Sequence, residues 1–177
     1  MRIIRCNNSD YKTLAGIWER SVRATHGFLA EKDFLEIRDA LIPGYFPNVG
    51  LYAIADGGHF TGFIGLRDNT IEMLFIDASC RGRGYGSALI DFAKQKGATD
   101  VDVNEQNTSA LDFYISRGFR IISRDETDEA GRPYPILHLS TLNPSGDHPA
   151  WRLHEIPPYE NCIYRNRTTH SSLMGGG

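Results

Sequence analysis

The amino-acid sequence predicts one mixed α/β domain: about seven strands in a mostly antiparallel sheet, four helices, and a C-terminal extension. Three observations predict it. Two stretches near the N-terminus carry apolar residues at helical spacing, and a long central stretch then switches to strand-like periodicity. A glycine-rich turn also separates an apolar strand from the start of a helix, which calls for one parallel crossover within an otherwise antiparallel sheet.

The elements follow in order. "MRIIRC" is a short strand closed by the turn-like Asn7-Asn8, and Ser9 or Asp10 is placed to cap a helix running to about Thr25. Leu14, Ile17, Trp18 and Val22 form its apolar face, and Gly27 interrupts. A second helix starts at Glu31 with Phe34, Leu35, Ile37, Leu41 and Ile42 inward, and Pro43-Gly44 is expected to stop it. "LYAIAD" and "FTGFIGLR" flank Gly57-Gly58, a hairpin signal. "TIEMLFIDA" is nearly continuous in apolar residues, as expected of a strand covered on both faces. After the glycine turn comes a helix with Ala88, Leu89, Phe92 and Ala93 on one face, then the strand "DVDVNE". "NTSALDFYISRG" reads as a helix capped by Asn107 and ended by Gly118. "RIISRDE" and "PILHLST" complete the sheet, joined by a turn around Gly131-Arg132-Pro133.

Residues 1–142 make up this domain. Residues 143–177, with Pro144, Pro149, Pro157 and Pro158 and a terminal Gly-Gly-Gly, read as an extension ordered in part through Trp151 and Tyr159. A net charge of −3 gives no global signature for nucleic acid or a membrane surface. No apolar run approaches the ~20 residues that span a bilayer, and the N-terminus lacks the apolar core of a signal peptide. Cys6, Cys80 and Cys162 show no paired spacing, which favours a reducing compartment. A cytoplasmic protein is expected. His154, Cys162 and His170 do not match a zinc pattern, so no metal is expected.

The stretch "RGRGYGSALI" carries the most information. A strand end, a glycine-rich turn and a helix start aim several unpaired N–H groups at one point, where the helix dipole adds about half a positive charge. An anion is the natural occupant. A phosphate loop of the G-x-x-x-x-G-K-[ST] type is excluded, because no Lys-Ser or Lys-Thr follows. Gly82, Gly84 and Ser87 give G-x-G-x-x-S with Asp102 ~20 residues on, near the dinucleotide fingerprint; a long hairpin ahead of the loop disfavours a doubly wound sheet.

The third pattern, [RQ]-x-x-G-x-[GA] at Arg81, Gly84 and Gly86, resembles the coenzyme A pyrophosphate loop of the GNAT acetyltransferase superfamily. Two segments carry the resemblance together. "MLFIDASCRGRGYG" is similar to the family's central strand-loop-helix segment, with Ala78 where proline is frequent. "NTSALDFYISRGF" is similar to N-x-x-A-x-x-F-Y-x-x-x-G-F at Asn107, Ala110, Phe113, Tyr114, Gly118 and Phe119. More narrowly, "IWERSVRATHGFL", "LFID", "VNEQN" and "GRPYPILHL" resemble small enterobacterial acetyltransferases of the YjaB type.

The resemblance implies a GNAT fold and an N-acetyltransferase that moves the acetyl group of acetyl-CoA directly to a primary amine, of a small molecule or of a peptide or protein. It implies that Arg81, Gly82, Arg83, Gly84, Tyr85, Gly86 and Ser87 hold the pyrophosphate. The exposed backbone of Leu74, Phe75 and Ile76, on a strand splayed from its neighbour by a bulge, would hold pantetheine. Tyr114 would be the general acid and contact the cofactor, with Asn107 nearby. For the base, Glu72 on the central strand stands beside Glu105 and His26, and the choice stays open. Ser21, His26, Phe28 and Tyr134 are the acceptor-side residues, while Trp18 fits the core. Asp77 is expected to cap the loop. A silent acyl-CoA sensor and a toxin acting on aminoacyl-tRNA remain alternatives; a −3 chain offers no obvious basic face for the latter. A homodimer is compatible, since dimers are common in the family.

Overall fold

The computed structural model describes residues 1–142; the expectations at Trp151, His154, Tyr159, Cys162 and His170 lie outside the described residues. The chain forms β1 (Arg2–Arg5), α1 (Tyr11–Thr25), α2 (Glu31–Ala40), β2 (Gly50–Asp56), β3 (His59–Arg67), β4 (Thr70–Ile76), α3 (Tyr85–Gln95), β5 (Asp100–Asn104), α4 (Thr108–Ser116), β6 (Arg120–Asp125) and β7 (Ile136–Ser140). One seven-stranded sheet has the order β1-β2-β3-β4-β5-β7-β6. Its β4–β5 pair is parallel and every other pair is antiparallel, so the predicted mixed topology holds.

Helices cover both faces. Leu14, Ile17 and Trp18 of α1 and Phe34 and Ile37 of α2 pack with Leu51, Ala53, Phe63, Met73 and Phe75 of the sheet. Trp18 is fully buried and stacks on Phe34 at 5.1 Å between ring centroids, confirming a core role; burying a side chain of that size contributes ~2–3 kcal/mol. On the opposite face, Leu89, Ile90 and Ala93 of α3 and Tyr114 of α4 pack with Ile54, Ile64, Ile71, Val101, Val103, Leu137 and Leu139.

Two boundaries differ from the sequence expectation. Asp10 occupies the N-cap position of α1, but its side chain makes no capping hydrogen bond to that helix. Asn7 instead caps a single 3-10 turn, Asn8–Asp10, that leads into the helix: its side chain accepts from Ser9 N, while Asp10 accepts from Asn7 N. Asn7-Asn8 is thus the start of the helical segment, not a detached turn. Pro43-Gly44 does not end the second helix cleanly either. The backbone widens to a π turn over Leu41–Tyr45 and continues as a 3-10 turn, Phe46–Asn48. A wider turn accommodates a proline that cannot donate to the regular ladder. The shift in winding turns Ile42 outward, 39% exposed, against the inward expectation.

Candidate active site

The cleft begins with a bulge. Along β4 and its antiparallel partner β3, Gly65 faces Met73 and Leu66 faces Ile71, leaving Glu72 as the extra residue. An extra residue bends a strand and interrupts its pairing. The parallel contact of β4 with β5 ends there, holding only at Thr70–Asp100 and Ile71–Val101. Beyond it the strands part, and Leu74, Phe75 and Ile76 on one side face Asp102, Val103 and Asn104 on the other across a cavity of about 400 Å³. That volume is in the range of small-molecule sites.

At the cleft's end the chain makes a 3-10 turn, Ala78–Cys80, and enters α3 through the glycine loop. Asp77 caps this turn: its Oδ1 accepts from Ser79 N and Oγ, and its Oδ2 from Arg20 Nε at 2.8 Å. Burial opposes its ionisation, yet the Arg20 and Ser79 hydrogen bonds hold the carboxyl below its ordinary range. Gly82 and Gly84 have φ of +75° and +82°, a region that costs a side chain ~1–2 kcal/mol. Among the described residues, nothing beyond the chain neighbours lies within 4 Å of a Cβ placed at either, and both glycines line the cleft. Gly86 is needed for a different reason. A Cβ there would stand 3.3 Å from Phe113 Cζ, where α3 and α4 meet. Tyr85 fixes the loop from behind, its hydroxyl donating to Asp56 Oδ2 at 2.7 Å. The opening turn of α3 leaves N–H groups without intrahelical acceptors, directed at this space, so an anionic diphosphate fits the cradle.

The far wall is a hydrogen-bonded chain from α1 to α4. Thr25 Oγ1 donates to Ser21 O, so it accepts from His26 Nδ1 at 2.7 Å. His26 Nε2 is then left to accept from Asn107 Nδ2 at 3.4 Å, and Asn107 Oδ1 accepts from Ala110 N, capping α4. Every donor has one acceptor in this order, which fixes the tautomer as Nδ1–H. Burial, reinforced by Arg81, pushes the His26 imidazole down to about 4, so it is neutral at pH 7. Its Nε2 lone pair accepts from Asn107, which leaves it no free site for a proton. Tyr114, on the next turn of α4, is 6% exposed and lines the cavity.

Of the residues expected at the site, Ser21, His26, Leu74, Phe75, Ile76, Arg81, Gly82, Gly84, Tyr85, Gly86, Ser87, Asn107 and Tyr114 line this cavity. Four others do not. Arg83 is exposed and is absent from the lining. Phe28 and Tyr134 join a run of tilted ring contacts that reaches the cleft through His26, with centroids 5.3 Å from His26 to Phe28 and 6.2 Å from Phe28 to Tyr134. Glu72, the bulge residue, is 1% exposed and its Oε1 accepts from Arg67 Nε at 3.1 Å, away from the cleft lining. Its rival Glu105 is bidentate to Arg124 on the surface, both distances 2.8 Å, and that hydrogen-bonded pairing lowers its pKa.

Among the described residues, the acidic residue in the cavity lining is Asp102, which the sequence pointed to only through the dinucleotide fingerprint. Asp102 lies on β5, directly opposite His138 of β7. Its Oδ1 receives His138 Nδ1–H at 2.8 Å, while its Oδ2 is buried without a hydrogen-bond partner. The alternation "DVDV" did signal a polar face opposite the two valines; the partner could be found only from the β5–β7 register. Arg132 bridges Asp33, Glu36 and Asp128 and thereby ties α2 to the β6–β7 loop. Among the described residues no His, Cys, Asp and Glu cluster suits a metal ion, and no helix is long and apolar enough to cross a membrane.

Comparison with known proteins agrees with this architecture. Residues 38–134 match the acetyltransferase (GNAT) domain family. The peptidyl-lysine N-acetyltransferase YjaB of Salmonella typhimurium is 38% identical over 142 residues, which span 78% of this chain and 97% of that protein. The Escherichia coli protein of the same name is 36% identical over 78% of this chain and 95% of its own. The solution structure of apo YjaB from E. coli superposes with a TM-score of 0.74, at 34% identity, over 80% of this chain and 97% of that one. A Thermoplasma acidophilum PaiA N-acetyltransferase in complex with coenzyme A shares the fold at a TM-score of 0.57 and 18% identity, over 77% of this chain and 96% of that one. With the splayed β4–β5 pair, the glycine loop and these relatives in agreement, the chain belongs to the GNAT acetyltransferase family.

Proposed function

We propose that the protein transfers the acetyl group of acetyl-CoA to the side-chain amine of a lysine in a peptide or protein, by direct attack and without an acyl-enzyme. The observation that carries this reading is the cleft itself. The glycine loop and α3 N-terminus at one end, with Tyr114 and Asp102 in the lining, are the groups that acetyl transfer to an ammonium calls for. The names of the 36–38% identical relatives support lysine as acceptor.

Acetyl-CoA supplies an activated thioester. The loop residues Arg81 to Ser87 hold its diphosphate through backbone N–H groups and the Arg81 guanidinium. The backbone edge of Leu74, Phe75 and Ile76 aligns the pantetheine arm, and one of its N–H groups polarises the thioester carbonyl. Asp102 receives the acceptor ammonium: a buried carboxylate oxygen without a partner attracts a cation and takes its proton as attack begins. Tyr114, a phenol protonated at neutral pH, donates to the departing thiolate. The new bond is C–N and the broken bond C–S. The nitrogen sheds two protons; one ends on sulfur and one leaves the protein.

Acetyl-CoA is offered with a panel of lysine peptides, polyamines and aminoglycosides, and thiol release is followed. Lysine peptides are expected to turn over fastest. Tyr114→Phe is expected to lower kcat about tenfold or more with little change in coenzyme A affinity, and Asp102→Asn to lower kcat/KM for the peptide about a hundredfold. Coenzyme A binding without turnover of any amine would favour the silent-sensor alternative and sink this reading.

A further inference from the structure

The proton that leaves the protein on each turnover starts from a cavity wall, and the three residues behind Asp102 describe where it goes. His138 lies on the central strand of the β5-β7-β6 triplet, its side chain only 5% exposed. Its Nδ1 faces Asp102 Oδ1 at 2.8 Å and its Nε2 faces Asp125 Oδ2 at 3.2 Å. Two carboxylates flanking one imidazole require N–H on both nitrogens, so the ring is an imidazolium. Asp125 is 49% exposed, at the outer edge strand. The row thus begins at Asp102, a residue of the cleft lining, and ends at the half-exposed Asp125.

We propose that His138 and Asp125 form the proton exit of this enzyme, coupling Asp102 in the cleft to solvent at the sheet edge. The inference rests on the acetyl-transfer reading above. As Asp102 Oδ2 takes a proton from the acceptor nitrogen, His138 gives its Nε2 proton to Asp125, which passes it to water. The cluster carries one net negative charge before and after, so no unbalanced charge is created in a buried site, where it would be costly. Rotation of the Asp102 carboxyl and of the imidazole after product leaves completes the hop-and-turn cycle. Burial opposes a charged imidazole here, but the hydrogen bonds and charges of Asp102 and Asp125 outweigh it and raise the His138 pKa. His138 and Asp125 touch neither substrate; they are positioning residues that act through Asp102.

Two measurements test the exit. Nitrogen-15 NMR of the ring nitrogens needs no acceptor: His138 is expected to stay doubly protonated above the ordinary histidine value, and to lose Nε2–H in Asp125→Asn. A neutral ring in the unmutated protein overturns the proposal. In steady-state assays with a lysine peptide, Asp125→Asn is expected to lower kcat about tenfold with KM for acetyl-CoA unchanged, and added imidazole buffer to restore much of the rate. Because Asp125 is half exposed, this variant tests the exit even where His138→Gln fails to fold. Undiminished kcat in Asp125→Asn, or a loss that no buffer rescues, overturns the exit while leaving acetyl transfer intact. Absence of turnover in the unmutated protein overturns both.

Discussion

His26 illustrates how one residue ties stability to the site. Its imidazole is neutral in the fold, pushed down to about 4 by burial and by Arg81, against an ordinary value of 6.5. Below the ordinary value the unfolded chain binds a proton that the folded one refuses, so stability is full above pH ~6.5 and falls as the pH drops toward 4. The difference amounts to ~3 kcal/mol at its limit. His138 has the opposite sign, its raised pKa adding stability that is lost as pH rises through it. Urea denaturation at pH 7 and pH 5 is therefore expected to show a loss in the unmutated protein that His26→Gln reduces. An equal loss in both would refute the assignment. His26 was visible in the sequence only as a histidine after a helix; its neutrality and tautomer come from Thr25 and Asn107, one neighbour in sequence and one 81 residues away.

At the scale of elements, the strand β4 shows what could and could not be read in advance. "TIEMLFI" announced a strand buried on both faces, and it is one. The bulge left no mark in that pattern, because every position but Glu72 and Thr70 is apolar. Only the packing reveals it: Ile71 joins the α3–α4 face while Met73, two residues on, joins the α1–α2 face, a parity break that a regular strand forbids. The resemblance supplied the bulge, and the register locates it at Glu72. This is also why a glutamate that looked poised over the pantetheine stretch turns instead to Arg67. The loop, by contrast, was legible, since glycines at positive φ leave a direct trace in sequence. Gly84→Asp adds both a left-handed strain and a negative charge at the α3 N-terminus, where a diphosphate is proposed to sit. Coenzyme A affinity, measured by calorimetry, is expected to fall at least about tenfold. Unchanged binding would move the ligand elsewhere.

At the scale of the molecule, the sheet order, the two helical layers and the cleft are all complete within residues 1–142. The match to the Salmonella YjaB spans 142 residues and covers 97% of that relative, so a protein of nearly this extent has an independent existence. The strand adjoining the boundary is not peripheral: β7 pairs with both β5 and β6 along all five of its residues, from Ile136 to Ser140. A cut after Leu142 therefore spares every ladder of the sheet, whereas a cut before β7 would remove the strand that carries His138 and leave Asp102 without its imidazole. A chain of residues 1–142 is accordingly expected to unfold in one cooperative transition and to bind coenzyme A within about threefold of the full chain, a difference under 1 kcal/mol. Broad, non-cooperative melting or lost binding would mean that residues 143–177 belong to the domain and contribute to its site. Equal binding with altered peptide turnover would assign them instead to acceptor selection, leaving the cofactor half of the cleft self-sufficient.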